Sequence, residues 1–150
     1  MLNPITWGAC SAALAMLLAV QAQAASPKKV PERGYFDVSR MAPLTDQPGD
    51  PVNGRKVIVA KGMCLSCHEM PIPEEADHGN VGPDLAGVGL RMQPAELRMR
   101  IVDPKVINPD TPMPSFFKKE LNRVATKWQG QTILSAQEVE DVIAYLGTLK

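Results

Sequence analysis

The sequence predicts an all-α domain preceded by an extended N-terminal arm, and three observations carry that prediction. The run SAQEVEDVIAYL, Ser135 to Leu146, sets Val139, Val142, Ile143 and Leu146 at i, i+3, i+4 and i+7 behind a Ser135/Glu138 capping box. No strand of any length competes with it. Finally, residues 26–49 mix proline, charge and isolated apolar residues with neither a helical nor a strand period.

At 150 residues, 45 % of them hydrophobic, the chain can build one domain with a real core. Its 16 Lys+Arg balance 16 Asp+Glu, so no overall charge argues for nucleic acid or for long-range steering of a charged partner. The first 27 residues carry no charged side chain. The apolar run Cys10 to Val20 is followed by Ala22-Gln23-Ala24, a small-x-small pattern, so residues 1–24 read as an export signal cut after Ala24. The alternative is an uncleaved anchor, although Lys28 and Lys29 lie on the exported side. Cys10 falls in the removed part, which leaves Cys64 and Cys67 as the cysteines of the mature chain. They stand too close together to staple a useful loop with a disulfide.

The arm, residues 25–49, contains Tyr35, Phe36, Val38, Met41 and Leu44, more apolar side chains than a solvated linker wants. It is read as a linker or as a segment laid on a partner or on its own domain. The main domain, residues 50–150, opens at Asp50-Pro51, a good N-cap and a good first helical residue. Gly54 weakens the helix interior, which suggests close approach of a second helix; a tolerated glycine is the alternative. Residues 71–90 are rich in Pro, Gly and Asn and read as loop. A helix follows from Pro94 to Val102, with Leu97 and Ile101 on one face, and Asp103-Pro104 ends it. The stretch Asn108 to Phe117 holds three prolines around Met113 and reads as a stiff extended loop. Beyond it Phe117, Leu121, Val124 and Trp128 recur at helical spacing among Lys118, Lys119, Arg123 and Lys127, a basic amphipathic segment. Those four cations are either a docking patch for an acidic partner or a solvated face.

GMCLSCHEM, Gly62 to Met70, contains C-x-x-C-H, which in an exported chain is the attachment signal for haem c. Each thiol adds across one porphyrin vinyl group, so Cys64 and Cys67 form the thioethers and His68 supplies the proximal bond to iron. A thioredoxin-like redox pair would need a βαβ setting that the sequence lacks. A structural zinc site would need two further ligands, and the mature chain offers only His68 and His78. For the sixth position, Met63, Met70, Met92, Met99 and Met113 compete with His78. Met63 and Met70 are too close to the motif to cross to the other haem face. Met99 lies on the far side of its helix from Leu97, and Met92 lies in a loop. Met113, stiffened by Pro112 and Pro114, is the choice, with core filler as its alternative. His78, among Glu74, Glu75 and Asp77, reads as a solvated loop histidine. His/Met ligation raises the reduction potential and leaves no open position for substrate.

With these pieces the chain resembles class I c-type cytochromes, in which a first helix, the attachment motif, a methionine loop and a crossing C-terminal helix enclose one covalently bound haem. The resemblance implies that Gly54 packs near Tyr145 and that the Pro83 carbonyl of Gly82-Pro83 holds His68 through Nδ1. Over residues 30–150, and most specifically from Pro104 to Leu146, the chain looks like the SoxX family, the monohaem subunits of SoxAX complexes of bacterial thiosulfate oxidation. That likeness implies a periplasmic electron-accepting subunit, itself without a catalytic residue, paired with a haem-bearing SoxA-like catalytic subunit that joins thiosulfate oxidatively to a cysteine of a carrier protein. Once haem is attached, the chain keeps no free thiol and no paired acid and base near an open metal position, so a sulfur nucleophile must come from the partner. The competing readings are a diffusible cytochrome shuttling electrons between redox complexes and a gas sensor whose Met113 is displaced.

Overall fold

The computed structural model describes residues 41–119, 126 and 129–150. The expected export signal with Cys10, the arm residues Tyr35, Phe36 and Val38, and Leu121, Arg123, Val124, Lys127 and Trp128 of the basic segment lie outside the described residues.

Among the described residues the structure is helical and contains no strand. The helices are α1 (Pro51–Val59), α2 (Val88–Arg91), α3 (Pro94–Val102) and α4 (Ala136–Thr148), with single 3₁₀ turns at Cys64–Ser66 and Pro104–Val106. The Asp50 carboxylate caps α1 by accepting from Val52 N–H at 2.8 Å, and Pro51 stands at N1, where it has no helical hydrogen bond to lose. The Ser135/Glu138 capping box starts α4 as expected. At the start of α3 the Glu96 carboxylate accepts from Gln93 N–H at 2.9 Å. The sequence signals that half-box weakly, because Gln is not a usual N-cap residue.

α1 buries Gly54, Val57 and Ile58 and packs chiefly against α4. Gly54 is the point of contact: a Cβ there would overlap the Asp141 carbonyl. The close approach is therefore real, but it falls about one helical turn before the expected Tyr145 region. The Asp141 carboxylate seals the crossing, accepting from Asp50 N–H at 2.8 Å and from Asn53 Nδ2 at 2.7 Å. α2, a single turn inside the stretch read as loop, packs on α4, and Met92 closes its end. α3 packs on α4 from another side, contributing Leu97, Met99, Ile101 and Val102 to the core.

The last residues of the arm lie on this domain. Met41, Leu44 and Thr45 are buried. Beneath them Arg98 and Glu140, with side chains 5 % and 7 % exposed, form a two-pronged pair at 2.7 Å per prong. Arg98 also donates to the Met41 carbonyl at 2.7 Å, and Glu140 accepts from Leu44 N–H at 2.8 Å. Burying two charges is tolerable only because each is paired and the remaining hydrogen-bonding capacity is used. Of the occupants the sequence left open for the arm, its own domain takes residues 41–49. No helix among the described residues is long and apolar enough to cross a membrane.

Candidate haem site

The attachment motif is shaped by one backbone reversal. Met63 adopts φ 50°, ψ 35°, a left-handed conformation rarely taken by a residue with a Cβ, and turns the chain from α1 into the Cys64–Ser66 turn. Cys67 N–H and His68 N–H both donate to the Cys64 carbonyl, at 3.1 and 2.9 Å, which tightens the motif into one compact turn. Residues 79–85 then run alongside it. Gly79 N–H donates to the Leu65 carbonyl, Gly82 N–H to the Cys67 carbonyl, each at 2.7 Å, and Leu85 N–H to the Glu69 carbonyl at 2.9 Å.

This second strip of chain fixes the imidazole. His68 Nδ1 lies 2.7 Å from the Pro83 carbonyl, the contact that the family resemblance implied. A carbonyl can only accept, so Nδ1 carries the proton and Nε2 keeps the free lone pair for a metal. Gly82 makes the contact possible: a Cβ at that position would fall on the His68 ring.

His68 and Met113 both line one apolar cavity of about 370 Å³, including the part open to solvent. Ile58, Leu85, Ile101, Phe116, Leu134 and Leu146 form its walls, with Cys64 and Met70 also on the surface. Cys67 does not line it and is half-buried in the adjoining turn. Burial pushes the Cys64 thiol up to about 11. It is thus no activated thiolate of the kind a cysteine nucleophile requires. The Met113 segment is closed by backbone bonds from Phe116 N–H to the Ile101 carbonyl and from Leu134 N–H to the Phe116 carbonyl, both 2.9 Å. Lys105 Nζ donates to the Thr111 carbonyl at 2.7 Å within the loop. An apolar slot, an imidazole with its proton fixed on the far nitrogen, a thioether and two neighbouring thiols together fit a covalently bound haem.

Of the other sequence candidates, Met63 is exposed, Met92 packs at the edge of the core and Met99 is buried in the core away from the cavity. Met70 does reach the cavity. One expectation needs correction. His78 is no solvated loop histidine: Nδ1 accepts from Met70 N–H at 3.3 Å and Nε2 is buried without a partner. Of the four cations read either as a docking patch or as a solvated face, Lys118 is partly exposed and its ammonium binds Asp103 Oδ2 at 2.6 Å. The sequence carries no signal for either contact.

Residues 52–150 match the family described as Cytochrome c. A crystal structure of SoxXA from P. pantotrophus superimposes with a TM-score of 0.65 and 33 % sequence identity, covering 73 % of this chain and 88 % of that chain. Comparison with curated proteins finds no match. The chain therefore belongs to the cytochrome c family: a helical electron-transfer protein that carries covalently bound haem c, with Cys64 and Cys67 placed as a C-x-x-C-H-type site. Within that family, the likeness to the SoxXA chain marks it as a SoxX-type cytochrome.

Proposed function

We propose that this cytochrome is the electron-accepting subunit of a periplasmic complex whose haem-bearing, SoxA-like partner couples thiosulfate to a carrier-protein cysteine. The observation that carries this reading is the likeness to SoxXA over most of that chain. In this reading the signal is removed after Ala24, Cys64 and Cys67 would hold the haem covalently, and His68 through Nε2 and Met113 would be the residues that bind its iron. Haem supplies a one-electron acceptor. The residues of this chain anchor it, fix the imidazole proton on Nδ1 through Pro83, and keep water from its faces with the apolar wall. Joining a thiol to the thiosulfate dianion forms one S–S bond and releases two electrons and the single thiol proton. A single haem takes one electron, so a second redox group must belong to the partner.

Burial of Met41 and Leu44 in their own domain removes these two side chains from any partner surface and so weakens the arm as an argument against the second reading, a free-standing electron shuttle. Size-exclusion of the natively purified protein separates the two. The complex reading expects co-elution with a second haem protein, and reduction of the haem by thiosulfate plus a thiol acceptor only in that fraction. A monomer in every preparation, reduced equally well without a partner, would favour the shuttle.

A further inference from the structure

We infer that Asp103 is a positioning residue for Met113, a carboxylate clasp that closes the loop presenting the thioether to the cavity. The inference rests on Met113 being the sixth ligand. Asp103 stands at the C-terminus of α3, where the loop begins, and is 7 % exposed. Its Oδ1 accepts from the Ser115 hydroxyl at 2.8 Å, and its Oδ2 accepts from Lys118 Nζ at 2.6 Å. Ser115 is 1 % exposed, so the hydroxyl has no water to turn to. One carboxylate thus ties the start of the loop to Ser115 at its end and to Lys118 just beyond it.

The backbone repeats the closure beside it, through Phe116 N–H to the Ile101 carbonyl at 2.9 Å and Phe117 N–H to the Val102 carbonyl at 3.4 Å. Residues 103–115 therefore form a closed loop with its two ends in contact. Between Ser115 and Met113 stands only Pro114, whose ring fixes φ. Few soft torsions remain between the clasped serine and the methionine, so the position of Ser115 is passed on to the sulfur. A buried acid would otherwise be a poor choice at this position. Burial alone would raise its carboxyl, but the Lys118 ammonium, the Ser115 hydroxyl and the Lys105 backbone N–H outweigh that and hold it below its ordinary value.

The test uses the ferric holoprotein, the red charge-transfer band of thioether-bound haem, and titration with imidazole, which displaces a loosely held methionine. Met113→Ala reports on the ligand itself: a band that survives this change overturns the ligand assignment, and the clasp inference with it. Given loss of the band in Met113→Ala, Ser115→Ala and Asp103→Ala should each raise imidazole affinity about tenfold, as loss of a buried charge-assisted hydrogen bond does. Asp103→Asn, which keeps an oxygen for Ser115 and loses the charge for Lys118, should fall between them and the parent. A Ser115→Ala protein that is folded, shows the band and binds imidazole within twofold of the parent would overturn the clasp. Ser115→Ala decides the matter even if Asp103→Ala does not fold.

Discussion

A carbonyl oxygen and a missing methyl group decide what His68 can do. The Pro83 carbonyl accepts a hydrogen bond from Nδ1–H, with N···O 2.7 Å, and Gly82 clears the space beside the ring. Such outer contacts orient a ligand and raise its basicity. On the other side, Met113→Ala should leave the thioether anchorage intact but drop the reduction potential by a tenth or more of the roughly 0.8 V that axial ligands span. Redox titration checks this, and the ferrous form should gain the ability to bind carbon monoxide. The attachment motif was legible in the sequence because its spacing is dictated by covalent chemistry with the porphyrin. The Met113 reading rested on local stiffness, since Pro112 and Pro114 adjoin it. What stayed hidden were pairings across sequence distance. The periodicity around Lys118 does not reveal Asp103 beside it, and the acidic neighbours of His78 do not reveal the Met70 amide that donates to its Nδ1.

At the level of elements, the crossing of α1 and α4 is the joint on which the cavity depends, because Ile58 comes from one helix and Val142 and Leu146 from the other. Gly54→Ala would drive a methyl group into the Asp141 carbonyl, so the helices must separate or shift. The expected cost is about 2–3 kcal/mol, the upper part of the range for overpacking. Urea unfolding should show a lower midpoint with an unchanged slope, since the surface exposed on unfolding stays the same. The starts of α1, α3 and α4 could be read in advance because Asp50, Pro94 and Ser135 each suit the opening of a helix in a specific way, and the end of α3 because Asp103-Pro104 stops it. α2 could not. It is a single turn, too short to show a period, and it is held by packing on α4 rather than by its own sequence.

At the scale of the whole molecule, two carboxylates among the described residues contribute to the response to acid. At Asp103 and at Glu138, burial acts to raise the carboxyl. It is outweighed by Lys118 and Ser115 in the first case and by Lys61 and Ser135 in the second, so both groups are held below their ordinary values. A carboxylate with a depressed folded-state pKa contributes stability above its unfolded value, roughly 4, and loses it as pH falls through the folded value. The urea midpoint should therefore change little because of these groups between neutrality and about pH 4, then fall. The fall should be shallower in a variant carrying Asp103→Asn and Glu138→Gln. The domain as a whole also reaches further back along the chain than the family match, which starts at residue 52. The Met41 carbonyl is held by Arg98, and Arg98 by Glu140 of α4. Met41 is consequently held at one fixed point beside α3 and α4. A tether attached there constrains which faces the haem protein can turn toward a surface, as a hinge on one edge constrains a door.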